Sequence, residues 1–195
     1  IIISDEWLAA IKAHQPELRT AKLIRYKKDF DIPDYDAQII TSAKKMADLF
    51  EATTAICKKP KKVSNWLMVE TMRLMKEHEM EAEDLKFSPE HLAKLIDLAD
   101  AGTINSSVAK EVFEQIFLED IDPEKYVEEH GLKTVNDEGA LRSTIEKIIA
   151  DNPQSVEDYH NGKEKAIGFL VGQTMKAMKG KANPGMVNQI LKELL

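Results

Sequence analysis

Seven prolines cut the chain into segments, and within these segments the apolar residues recur three or four positions apart. Together these two features restrict the fold severely. Proline lacks a backbone donor and fixes its own φ, so helices begin or break at it. Apolar residues at i, i+3, i+4 and i+7 line one face of a helix. No stretch alternates apolar and polar residues as a half-buried strand does. The sequence predicts an all-α fold.

Ser4 caps a short helix carrying Trp7, Leu8 and Ile11, and Pro16 interrupts it. A second helix runs from Glu17 to about Lys28, and Pro33 breaks the chain. From Ser42, a face of Met46, Leu49, Phe50, Thr53, Ile56 and Cys57 marks a third helix, with Pro60 as its expected end. The next holds Val63, Trp66, Leu67, Leu74 and Met75, with Met68 and Met72 besides. Its wide apolar arc predicts a central, buried helix. Ser88-Pro89-Glu90 is a cap followed by proline at the first helical position, and Gly102 stops that helix. Its buried stripe is Leu92, Leu95, Ile96 and Ala99. Asn105 or Ser106 starts another, with Ala109, Val112, Phe113, Ile116 and Phe117 on one face.

Around Asp122-Pro123 the character changes to shorter helices. One runs from Pro123 to His130, stopped by Gly131, and one from Glu138 to Ala150 with Leu141, Ile145, Ile148 and Ile149 inward. Another runs from Pro153 to near Asn161-Gly162. Lys163–Lys179 and Pro184–Leu195 close the chain. The expected organisation is two helical lobes: a larger helical bundle over 1–121 and a small tail domain over 122–195.

The chain has 195 residues, enough for two small cores. No apolar run approaches the roughly 20 residues that span a bilayer. It opens on Ile1 and is expected to be a piece of a longer protein. One cysteine, Cys57, excludes an internal disulfide and suits a reducing compartment. A cytoplasmic location is expected.

Catalytic and metal chemistry finds little support. Cys57 lies on an apolar stripe with no histidine near in sequence, and reads as a small buried hydrophobe. His78-Glu79-Met80-Glu81 lacks the second histidine of a zinc helix. Asp29, Asp31, Asp34 and Asp36 resemble a calcium loop, but the sixth position is Asp34 instead of glycine and the twelfth is Ile40 instead of glutamate. No Gly-rich phosphate loop follows a strand. No catalytic residue, metal site or cofactor is expected within the chain.

The net charge is −7, yet the charges are segregated. Two acidic runs occupy Glu77–Asp84 and Glu119–Glu129, while Lys58, Lys59, Lys61 and Lys62 form a small basic knot. Between Gly162 and Lys181, Lys163, Lys165, Lys176, Lys179 and Lys181 face Glu164 alone. At about 100° per residue, Ile167, Leu170, Val171, Thr174 and Met178 gather on one side of this helix. Lys165, Gly168, Phe169, Gly172, Lys176 and Lys179 gather on the other. Two interior glycines cost about 1 kcal/mol each relative to alanine. There they leave a flat backbone strip between ammonium groups, with Phe169 as a stacking surface. In the following loop, Gly180-Lys181-Ala182-Asn183-Pro184, Asn183 is placed to cap the last helix and Pro184 to start it. Free amides and the helix dipole there would favour a phosphate. Two readings stay open on the residues alone: a nucleic-acid face, and a GxxxG surface that docks a partner helix.

The run Asn161-Gly162-Lys163-Glu164-Lys165-Ala166-Ile167-Gly168-Phe169-Leu170-Val171-Gly172-Gln173, with Met175-Lys176 and Gly180-Lys181-Ala182-Asn183-Pro184, resembles the tail of the B subunits of bacterial glutamyl/aspartyl-tRNA amidotransferases (the GatB family). The YqeY family shares this tail module. Ile3-Ser4-Asp5-Glu6-Trp7 resembles the exit from the catalytic cradle of those proteins. Tyr26, Pro33, Tyr35-Asp36, Phe50-Glu51 and Asn65-Trp66-Leu67 resemble their helical domain. His160 and Met178 depart from the common pattern, which more often has a basic residue and a threonine there.

The resemblance implies a helical, tRNA-binding part of an enzyme that amidates glutamate or aspartate mischarged on tRNA(Gln) or tRNA(Asn). It implies ATP and magnesium in a cradle outside this chain, and partnership with the amidase and small subunits, A and C, of that enzyme. It points to Lys163, Lys165, Gly168, Phe169, Gly172, Lys176, Lys179, Gly180, Lys181 and Asn183 as the tRNA-binding set.

Overall fold

The computed structural model describes residues 4–14 and 17–195. Ile3 and Pro16 lie outside the described residues, as does the side chain of Leu8. Among the described residues the fold is all-α, with one isolated bridge, Val135 to Ala182, in place of any sheet. The chain divides into two compact units, residues 1–85 and 86–195.

In the first unit, α1 (Asp5–His14) starts where the Ser4 hydroxyl accepts from the Trp7 N–H. Helix α2 (Arg19–Phe30) ends on Asp31, which takes the left-handed conformation with φ 49°. A short helix α3 (Asp34–Ile40) occupies the stretch where the sequence showed only a break; its buried Ala37 and Ile40 tie it to the core. Helix α4 (Lys44–Cys57) is not stopped by Pro60. Lys58 stops it in a left-handed turn, and Pro60 instead opens α5 (Pro60–Asn65) at the first helical position. The core joins Tyr26, Phe30 and Phe50, whose rings meet at 4.9–5.5 Å.

The helix expected to be central and buried is neither uniform nor fully buried. Between α5 and α6 (Met72–Glu77), residues Trp66–Thr71 form a π-helical stretch. A π turn takes up one residue more than an α turn and so rotates the faces that follow. Val63, Leu67 and Leu74 remain buried, whereas Val69 is 50% exposed and Met72 38%. A 3-10 turn, Ala82–Asp84, closes the unit.

The second unit begins with α7 (Pro89–Asp100), capped by Ser88 as the sequence predicts, and α8 (Ser106–Glu119), whose start the sequence left between Asn105 and Ser106 and whose cap is Asn105. Phe87, Phe113 and Phe117 are mutually packed in their core. A single oxygen of Asp120 accepts from the Ser88 N–H at 2.8 Å and the Ser88 hydroxyl at 3.0 Å, and lies 2.8 Å from the His91 ring. Helix α9 (Pro123–Glu129) packs on α7 and α8. The boundary expected at residue 121 therefore falls inside this unit, ahead of a helix that shares the α7–α8 core.

A separate apolar cluster follows. It is built by α10 (Glu138–Asp151), α11 (Pro153–His160), α12 (Lys165–Ala177) and α13 (Pro184–Leu194). Leu141, Ile145, Leu170, Ala182, Val187, Ile190 and Leu191 form its buried centre, with Ile148, Ile149 and Val156 packed around them.

Candidate nucleic-acid interface

Helix α12 is placed by its apolar stripe. Leu170 and Thr174 are buried, and Ile167, Val171, Met175 and Met178 pack against the cluster from its margin. Thr174 donates its hydroxyl to the Leu170 carbonyl at 2.9 Å, so a polar atom enters the core already satisfied. The opposite face is open. Lys165, Gly168, Gly172 and Lys176 are exposed, and Phe169 is 47% exposed.

A side-chain carbon added at Gly168 or Gly172 would meet nothing within 4 Å. Among the described residues no neighbouring helix packs on these glycines; they leave bare backbone toward solvent. The lysines around them differ in how free they are. Lys163 pairs with Asp158 at 2.9 Å. Among the described residues, Lys165, Lys176, Lys179 and Lys181 form no ion pair. Lys179 is exposed and Lys181 half-buried.

The end of α12 is a Schellman-type stop. The Gly180 N–H reaches the Met175 carbonyl at 2.8 Å, and the Lys179 N–H reaches the Lys176 carbonyl at 3.0 Å. In this motif the residue before the longer bond turns left-handed, a place glycine usually fills. Here it is Lys179, with φ 52°, and Gly180 follows at φ 73°. A lysine thus sits where a side chain is disfavoured, at the corner of the cationic face.

Asn183 caps α13 as the sequence predicts. Its Oδ1 accepts from the Gly185 N–H at 2.9 Å and the Met186 N–H at 3.4 Å. That geometry corrects the expectation of free amides at the helix start. Pro184 has no N–H, Asn183 occupies the next two, and the Val187 N–H bonds the Asn183 carbonyl at 3.0 Å. An anion here would be held by the ammonium groups and the helix dipole.

Two residues that sequence reasoning missed hold this loop. Asn105, 75 positions away, donates its side-chain amide to the Gly180 carbonyl. The Val135 N–H donates to the Lys181 carbonyl at 2.8 Å. Local pattern gives no signal for either contact, because Asn105 already has a sufficient local role as a helix cap.

The other candidates stay dispersed. Cys57 is buried. Asp31 pairs with Lys61, Asp34 with Lys27, and Asp36 accepts from Ser64. Among the described residues, no three His, Cys, Asp or Glu side chains converge as metal ligands do. Among the described residues, no helix is long and apolar enough to cross a membrane.

A family profile described as the GatB domain matches residues 48–195. The B subunit of an aspartyl/glutamyl-tRNA(Asn/Gln) amidotransferase from Agathobacter rectalis is 71% identical over 195 residues, covering 100% of this chain and 41% of the relative. Proteins of the same name from Lachnoclostridium phytofermentans and Geobacillus thermodenitrificans are 64% and 49% identical over 193 residues each, covering 99% of this chain and 40% of each relative. The chain spans about two fifths of the length of these curated relatives.

Proposed function

The chain belongs to the GatB domain family, and from that membership we propose that it is the C-terminal, tRNA-gripping part of the B subunit of an aspartyl/glutamyl-tRNA amidotransferase. The parent enzyme works in the cytoplasm and converts Glu-tRNA(Gln) or Asp-tRNA(Asn) to the amide, with the amidase and small subunits, A and C, as partners. ATP and magnesium chemistry belongs to a cradle outside this chain, and no step of it is assigned to the residues described here.

One observation supports the reading above the rest: an uncovered glycine strip on α12, bordered by lysines that no carboxylate neutralises. Bare backbone allows a sugar–phosphate chain to approach closely, and unpaired ammonium groups attract it without first giving up a partner. Lys165, Lys176, Lys179 and Lys181 contact phosphates, and Lys163 joins them on release from Asp158. Phosphate contacts set position and affinity. Selectivity then comes from tRNA shape, read across the backbone and 2′-hydroxyls.

The test is a titration of the chain with tRNA(Gln) or tRNA(Asn) at two salt concentrations, beside a Lys176→Glu, Lys179→Glu variant. Five phosphate contacts give a log–log salt slope of about −4, or a loss of a few hundredfold for a fourfold rise in salt. The variant's slope is expected to be shallower by at least about 1.5. Equal binding by both proteins would remove the site assignment. Salt-independent capture by the same face of a helix from the A or C subunits would favour the helix-docking scaffold instead.

A further inference from the structure

We propose that Asn105 is a positioning residue for RNA binding: its side-chain amide, acting on the Gly180 carbonyl, holds the Lys179–Lys181 loop in its binding conformation. The inference rests on the tRNA-binding reading of that loop.

The loop is an unusual backbone to hold still. Lys179 and Gly180 are consecutive left-handed residues, and Lys179 carries a side chain that this conformation disfavours. The bonds at the helix end use the N–H groups of Lys179, Gly180 and Lys181. They leave the Gly180 and Lys181 carbonyls for outside partners, and each has one. Asn105 takes the first and the Val135 N–H takes the second. The Val135 segment is itself tied to the same α7–α8 turn, through the Thr134 N–H on the Thr103 carbonyl at 2.8 Å. The loop is therefore gripped from one place, the turn Thr103–Asn105, directly and through one intermediate stretch of backbone.

Packing holds the far side of the loop, where Ala182 is buried in the apolar cluster, while Lys179 is exposed. Behind the contact lies an open cavity of about 290 Å³, lined by Asn105, Ser106, Thr134, Met175 and Asn183 among others. The polar ties fix the Gly180 and Lys181 carbonyls, and the Asn105 tie is the one made by a side chain, so substitution can remove it alone.

Asn105 performs two separable tasks. Its Oδ1 accepts from the Val108 N–H at 3.0 Å and caps α8, while its amide nitrogen holds Gly180. Serine and aspartate both replace asparagine as helix caps with little loss. Neither supplies an amide donor at that position. Asn105→Ser and Asn105→Asp therefore keep the cap and release the loop.

The experiment measures tRNA affinity at two salt concentrations for the full chain, Asn105→Ser, Asn105→Asp, Lys179→Gln/Lys181→Gln, and the triple variant combining Asn105→Ser with both glutamines. Thermal midpoints are recorded in parallel. Wild type is expected to bind with a steep salt slope. The serine and aspartate variants are expected to keep helicity and melting temperature near wild type, to bind about tenfold more weakly, and to lose up to about 1.4 from the slope, the share of two lysines. Adding Asn105→Ser to the double glutamine variant should change nothing further, because the groups it positions are gone. A purely structural role would not produce that dependence. Undiminished or tighter binding by both Asn105 variants, or an undiminished Asn105→Ser effect in the glutamine background, overturns the proposal. Absence of salt-dependent binding by wild type overturns the tRNA reading instead, so the two failures are distinct.

Discussion

Replacing Gly168 and Gly172 together by alanine should make the protein more stable and a weaker RNA binder. Both glycines lie inside α12, neither has a positive φ, and an added carbon at either meets nothing within 4 Å. No strain or clash opposes the change, so the full helix-propensity gain of about 1 kcal/mol per site applies. The sum, about 2 kcal/mol, corresponds to a rise in melting temperature of about 4–8 °C for a chain of this size. Calorimetry, or circular dichroism during heating, reads it directly. The two methyl groups also stand on the bare strip between Lys165 and Lys176 and hold a ligand backbone away, so tRNA affinity should fall. Opposite signs are the signature of glycines kept for access instead of packing. A lower melting temperature would mean that the strip is covered and would refute the argument. A higher one with unchanged RNA affinity would refute its functional half.

Lys179→Gly removes a side chain from a left-handed turn position. It should raise stability by about 1 kcal/mol while making the salt slope of tRNA binding shallower by about 0.7–0.9, as urea melts and titrations would reveal. Glu51 gives a pH dependence. Burial pushes its carboxyl up, but hydrogen bonds from Tyr26 and Lys22 and the charge of Arg25 outweigh this and hold it below its ordinary value of 4.5. A depressed folded-state value contributes stability that is full above about 4.5 and is lost as pH falls through the lower one. Urea midpoints followed downward from neutral pH should therefore drop more steeply in wild type than in Glu51→Gln. Parallel curves would show that the contacts of Glu51 with Tyr26, Lys22 and Arg25 do not together hold its carboxyl below the ordinary value.

Local signals were legible where one residue decides the outcome. Ser88 and Asn183 were read as caps and each caps the helix that follows. The stripe of α12 was legible because five residues on one side and six on the other fix its orientation. The π stretch at Trp66–Thr71 was not, because its apolar spacing fits an α-helix equally well and only packing decides which side chains turn outward. Helix α3 was hidden because an aspartate-rich start looks like a loop until Ala37 and Ile40 find a core. For the site, composition located the lysines, but it could not separate Lys163, paired with Asp158, from the four that stay unpaired. Nor could it find Asn105, since contacts over such a separation leave no periodic trace.

A negative protein can still hold RNA because charge acts locally. At physiological salt, exposed charges more than about 8 Å apart hardly sense each other. Around α7–α9 the acidic run is answered close at hand: Lys94 meets Asp122 at 2.6 Å and Glu124 at 3.6 Å, Lys125 meets Glu129 at 3.8 Å, and Lys133 meets Glu128 at 3.2 Å. Those carboxylates spend their field on neighbouring lysines. On the α12 face Lys163 meets Asp158, but among the described residues Lys165, Lys176, Lys179 and Lys181 have no such partners, so their field points into solvent. The net charge of −7 therefore predicts weak nonspecific attraction to nucleic acid as a whole, and the unpaired face predicts firm attraction at one place. On the proposed tRNA-binding reading that division is useful, because a phosphate backbone meets ammonium groups without carboxylate partners where the glycine strip admits it.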